Sequence, residues 1–236
     1  MSEVSPGAGL RALQRMAAAQ AARDREGLER EMARVAAAVA SGDLRALQVE
    51  EALLQSCLFL GFPASLDALE RWRRVGGQAA PPPADEGTST WRTRGLDVCR
   101  RVYGSQVEGL RRNIASLHPD IAEWMVDDGY GKVLGRGGLD LRDRELLIAA
   151  QLAVQDAPRQ LYSHLRGALR NGATEGQVEA MLDEIEPWLD GAGVRDRVRK
   201  TWDVVRGAGR GSASEGTHMD AGIAGIEQAD EENHVH

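Results

Sequence analysis

Of the five histidines in the chain, His164 sits in the most strongly patterned segment. Leu161, Leu165, Ala168 and Leu169 recur around it at three- and four-residue spacing. A helix here places His164 at the edge of an apolar face, where an imidazole reaches a space between helices. Such an imidazole can move protons near neutral pH or can serve as a satisfied core side chain, and the spacing allows both. Upstream, Arg136, Arg142 and Arg144 stand among Asp140, Asp143 and Glu145. Their guanidinium groups are suited to an anionic small-molecule substrate, while the interleaved acids equally fit a solvated, ion-paired helix start. Cys57 and Cys99 are far apart and lack Cys-x-x-Cys spacing, so neither a disulfide framework nor a zinc site is indicated. Nothing in the pattern indicates a metal or an organic cofactor.

Three other patterns lack the context their chemistry needs. Gly207-Ala-Gly-Arg-Gly-Ser follows a helix instead of a strand, which sets it apart from a phosphate loop. His218, His234 and His236 sit in a polar terminal stretch suited to weak adventitious metal binding. Tyr130 and Lys132 do not have the helical spacing of a catalytic pair.

The elements that would position these residues read as helices. Aromatics make up 4% of the chain, alanine-rich runs such as 16–22 and 35–40 are frequent, and alternating β-branched stretches are scarce. Three consecutive prolines in GGQAAPPPADEGTS divide the chain into residues 1–76, a linker over 77–89, and a second unit over 90–206. Within the second unit, helical stretches are predicted over 96–117, 119–134 and 141–154, the last with Asp140 as its cap, followed by the His164 helix. Gly172 can end that helix in the left-handed conformation, and Thr174 with Gln177 forms a capping box for the next.

Residues 207–236 hold six acids against Arg210, a net −5 that leaves −2 of the chain's −7 on the body. Rich in Gly, Ser and Ala without apolar periodicity, this tail is expected to be disordered. The nearly neutral body gives no argument for nucleic acid as a partner. With no basic-then-apolar start and no run near the roughly 18 apolar residues of a membrane span, a soluble cytoplasmic protein is expected, with no membrane partner.

The two units also resemble each other. RALQRMAAAQAARDREGLEREMARVAAAVASG, residues 11–42, parallels RDRELLIAAQLAVQDAPRQLYSHLRGALRNG, residues 142–172, with Ala18 to Gln20 falling on Ala149 to Gln151. The correspondence continues as Gln48-Val49-Glu50 on Gln177-Val178-Glu179, Gly61 on Gly191 and Trp72 on Trp202. A degenerate tandem duplication is expected, although alanine-rich helices match one another easily.

YGKVLGRGGLDLRDRELL over 130–147, HLRGALRNG over 164–172 and the following 173–182 resemble the carboxymuconolactone decarboxylase and alkylhydroperoxidase-D-like family, as do 94–104 and 53–63 more weakly. The resemblance implies an all-α helical bundle, two degenerate units packed as an internal pseudo-dimer, and a homo-oligomeric ring of three such chains. It also implies acid/base chemistry on a small carboxylate-bearing lactone or ring compound, with His164 as acid/base, Glu145 supporting it and Arg136 or Arg142 holding the anion. Where many such decarboxylases have a glutamate one turn before the histidine, this chain has Gln160, which keeps the shape but cannot take a proton. The peroxidase branch's two cysteines would fall at Ala157 and Gln160, so peroxiredoxin-type activity is disfavoured. A non-catalytic scaffold or small-ligand binder on the same fold is the alternative. In linear register, His164 corresponds to Arg34 of the first unit and Glu145 to about Arg15 or Met16, so that unit lacks the acid/base set.

Overall fold

The computed structural model describes residues 7–78 and 86–210. Most of the proline-rich linker and the tail beyond Arg210 lie outside them. Every regular element among the described residues is helical: α1 (Ala8–Ala21), α2 (Arg25–Ala40), α3 (Ala46–Arg74), α4 (Thr88–Tyr103), α5 (Val107–Leu117), α6 (Pro119–Trp124), α7 (Leu141–Val154), α8 (Pro158–Arg170), α9 (Glu175–Ile185) and α10 (Gly191–Arg210).

Helix α7 is buried over almost its whole length, from Leu141 and Asp143 through Ala153. A helix buried on all sides lies at the centre of its fold, and α7, with its charged first residues paired, is packed by α8, α1, α3 and α9. Small residues permit the closest of these approaches. Ala17 and Ala18 of α1 and Ala149 and Ala150 of α7 are all buried, Ala18 joins the core of the C-terminal half, and Leu147 joins that of the N-terminal half.

The expected α7 has the bounds anticipated from sequence, but Asp140, at its N-cap position, makes no side-chain cap bond. Asp143, one turn in, is instead taken by Arg142. The stretch 96–117 is two helices because Gly104 takes φ +61° and opens a 3-10 turn. Likewise α6 ends after six residues, and the chain continues in wider π-type turns from Met125 to Leu134. These turns lie directly on α4: a Cβ on Gly95 would sit 2.0 Å from the Val126 carbonyl oxygen, and one on Gly131 would sit 2.2 Å from that of Trp91. Residues 207–210, assigned to the tail by composition, continue α10, since each residue added to an existing helix gains a hydrogen bond. Contrary to the sequence expectation, α3 is long and apolar enough to cross a membrane by length and composition. Here it is broken by the positive φ of Gly61, with Pro63 just beyond, and packs on α1, α2 and α7.

Local geometry recurs between the halves. The α1–α2 and α7–α8 hairpins both turn through a non-glycine residue of positive φ, Arg23 at 56° and Asp156 at 54°. Both exit through a positive-φ glycine, Gly42 and Gly172, and then enter α3 and α9 with a glutamine that caps the backbone N–H three residues earlier: Gln48 on Arg45 at 2.9 Å and Gln177 on Thr174 at 3.0 Å. Gly61 and Gly191, at φ 81° and 82°, precede helices that each bury a tryptophan, Trp72 and Trp202.

The halves are joined by a buried ion cluster. Arg144 of α7 has no exposed surface and donates to Glu51 Oε2 at 2.8 Å and Gln55 Oε1 at 3.1 Å, both on α3, and to the carbonyl of Arg136 at 3.1 Å. Arg136 approaches the same Glu51 carboxylate at 3.0 Å. Removing one partner of such a cluster strands a buried charge. Glu51→Ala is therefore expected to cost about 3–5 kcal/mol in a denaturant titration; a cost under about 1 kcal/mol would show that the cluster does not hold the halves together.

Candidate active site

The α7–α8 hairpin sets two ionisable side chains against each other. Glu145 projects from the second turn of α7 and His164 from the middle of α8, and His164 Nδ1 lies 2.9 Å from Glu145 Oε2. Both are buried, Glu145 completely. With Glu145 ionised, Nδ1 carries the hydrogen and Nε2 is left to exchange a proton. The pair fits because residue 167 is glycine: a Cβ there would stand 2.3 Å from Glu145 Oε2 and 2.9 Å from Val102.

Two other segments complete the surroundings. Phe59 of α3 meets the imidazole edge-on, with ring centroids 5.5 Å apart, and its carbonyl accepts from Gln155 Nε2 at 3.0 Å. On the side of α4 and the π turns, the hydroxyls of Tyr103 and Tyr130 hydrogen-bond at 2.6 Å. Burial pushes both tyrosines above their ordinary range, and the Glu145 charge adds to this. Burial also pushes the Cys99 thiol up to about 12, again with a contribution from Glu145. Glu145 thus lies in an apolar surround in which neighbouring acids hold their protons. Its Oε1 has no hydrogen-bond partner among the described residues.

The other residues singled out from sequence are placed differently. Gln160 is exposed one turn before His164. Arg136 gives its guanidinium to Glu51, and Arg142 donates to Asp143 at 2.7 Å, a bond that holds Arg142 above its ordinary value. Both arginines are thus engaged in ion pairs of their own. Cys57 is half-buried on α3, and burial raises its thiol too. Phe59, Gly167 and the tyrosine pair were not picked out from the sequence. Gly167, three residues after His164, carried a usable signal, since a glycine inside an apolar helix face marks close approach. Phe59 carried none, because nothing local connects it to a histidine 105 positions away.

Residues 119–200 match the carboxymuconolactone decarboxylase family, and this segment contains α7, α8 and the His164–Glu145 pair. The match spans 82 of the chain's 236 residues, and it is this segment that is similar to the carboxymuconolactone decarboxylase family. The chain is similar to Peroxisomal protein 2 of Schizosaccharomyces pombe, 34% identical over 140 residues, which cover 56% of this chain and 63% of that protein. It is also similar to a nitrosuccinic acid decarboxylase of Metarhizium robertsii, 37% identical over 90 residues, 37% of this chain and 63% of the relative. The chain thus spans a little under two thirds of the length of each. The matched segment is thus decarboxylase-like at the level of the family, and the all-helical elements of the described residues accord with an alkylhydroperoxidase-D-like bundle.

Two measurements check the geometry. Gly167→Ala should displace the Glu145 carboxylate, lowering stability by about 1–3 kcal/mol and changing the His164 titration followed by NMR; an unchanged titration would mean that the helices part without disturbing the pair. Because the Cys99 thiol keeps its proton up to about 12, a thiolate-selective reagent at pH 8 should label the native chain at Cys57 well before Cys99. Stability should fall as pH rises above about 9, where the unfolded thiol ionises and the folded one does not. Equal native labelling of both cysteines would contradict this burial.

Proposed function

We propose that the protein is a carboxy-lyase-type acid/base enzyme acting on a small carboxylate-bearing molecule, with His164 as the proton-transferring group and Glu145 positioning it. The observation that carries this reading is the buried 2.9 Å contact between His164 Nδ1 and Glu145 Oε2. Loss of carbon dioxide leaves an electron pair on carbon, which must be stabilised and then take a proton. An imidazolium held at Nδ1 by a carboxylate delivers that proton from Nε2 and then recovers it from solvent. The apolar surround keeps water from the developing charge, and Phe59 forms part of it.

Arg142 lies three residues before Glu145 on α7, and therefore on a neighbouring face. Its bond to Asp143 is partly exposed, so it is the arginine we assign to the substrate carboxylate, with Arg136 committed to Glu51. A relative named for decarboxylating nitrosuccinic acid, a small dicarboxylic acid, supports this substrate class. Thiol chemistry fits less well, since burial holds both thiols above their ordinary values and thereby keeps them protonated near neutral pH.

The recurring turns, caps and tryptophans support two degenerate copies of one helical unit, residues 1–76 and 90–206, packed as an internal pseudo-dimer. Three such chains would form the homo-oligomeric ring of the proposal. Counted from the hairpin turns, Glu31 and His164 each lie eight residues after the positive-φ residue. Glu31, not Arg34, is then the counterpart of His164, because α2 has 16 residues and α8 has 13.

With small dicarboxylates and lactone acids as substrates, His164→Ala should lower kcat/KM by about 100-fold or more. Arg142→Ala should act mainly on KM, and Gln160→Ala should change little. Turnover that survives His164→Ala would remove the catalytic assignment and leave a ligand-binding or scaffold protein.

A further inference from the structure

A second feature of the fold lies away from His164. A cleft of about 630 Å³ lies on the α1–α2 hairpin of the N-terminal half, closed on one side by Trp188 and the end of α9. It is built like the His164 site in two respects. Glu31, in His164's place relative to the hairpin turn, is buried and receives Arg15 of α1 at 2.8 Å, so this hairpin too carries a buried ionisable pair. Trp188 stands thirteen residues after the first residue of α9, as Phe59 stands thirteen after the first of α3. Phe59 meets the imidazole of the His164 pair, and Trp188, in the turn just after α9 and donating its Nε1–H to Asp24 at 3.0 Å, lines the cleft that holds the Arg15–Glu31 pair. The charges are exchanged: α1 supplies the base and α2 the acid, and no imidazole is present.

The cleft's charges are unequally committed. Glu31 is shared by Arg15 and Arg34, and Glu184 binds Arg15. Despite its burial, Arg15 is held above its ordinary value by these two carboxylates. Asp183 is drawn away by Arg199 at 2.6 Å. Arg30 reaches its nearest carboxylates only at 3.9 and 4.0 Å, and both Arg30 and Arg34 are well exposed at the rim. The acids facing the cleft are therefore engaged, while the rim retains guanidinium donors beside an apolar indole wall. That combination suits a small organic carboxylate, its charged end on Arg30 and Arg34 and its carbon skeleton against Trp188.

We propose that this cleft is a second binding site, for a small carboxylate that is held and not transformed, because no group in it exchanges protons as an imidazole does. The comparison of the halves rests on the two-copy reading above; the cleft and its arginines do not.

The test is calorimetric titration of the full chain with succinate, with phosphate at matched ionic strength as control. The titration is run on Arg142→Ala, which removes the carboxylate holder assigned to the His164 site, and on Arg142→Ala combined with Arg30→Ala and Arg34→Ala, whose exposed positions should leave the fold intact by circular dichroism. Arg142→Ala is expected to bind succinate and the triple variant to bind it at least tenfold more weakly, with little heat from phosphate. Unchanged binding by the triple variant, equal binding of phosphate, or no binding by Arg142→Ala at millimolar succinate would each overturn the proposal. Failure of the catalytic reading is seen separately, as turnover that does not depend on His164.

Discussion

The arrangement of this molecule depends on one buried cation. Arg144 sits at the heart of α7 with no exposed surface, and burial works against its charge enough to lower its pKa despite the opposing effect of Glu51. A guanidinium there is tolerable only because Glu51, Gln55 and backbone carbonyls surround it. Two of those partners belong to α3, so satisfying Arg144 fixes α3 against α7. That docking brings Phe59 to the imidazole of His164. The residue next to Arg144 is Glu145, so adjacent side chains of one helix turn serve the joining of the halves and the proposed acid/base pair.

Much of this was legible in the sequence. The helical class, the bounds of α7, the Thr174 capping box and the glycine exit at Gly172 all follow from local rules, and the helices carrying His164 and Glu145 came with them. The pairing of His164 with Glu145 came from the family resemblance; periodicity alone left the histidine open. What escaped sequence reading is what depends on partners far along the chain. Arg136, Arg142 and Arg144 look alike in a helix-start pattern, yet one is fully buried, one shares its carboxylate and one is half-exposed. The π turns that begin at Met125 lie against α4 through Gly95 and Gly131, a contact that no local rule anticipates.

On the two-copy reading, a common frame accommodates opposite electrostatics. Both hairpins bury one hydrogen-bonded pair, Glu145 with His164 and Arg15 with Glu31. An imidazole held at one nitrogen by a carboxylate keeps its other nitrogen free to take or give a proton. An arginine paired with a carboxylate is locked in its charged form, so the second pair can hold charge in place but has no proton to trade.

The tie between α3 and α7 also sets an order of events in synthesis. Glu51 and Arg144 are 93 positions apart, so α3 leaves the ribosome with its acid exposed well before the cation that neutralises it exists. The N-terminal hairpin can form early, but its third helix has no final seat until α7 has been made. Contacts of such long separation are slow to close, and the seating of Phe59 against the imidazole waits on this one. A fragment limited to the family-matched residues would contain the histidine and its glutamate while lacking the phenylalanine wall and the tyrosine at position 103.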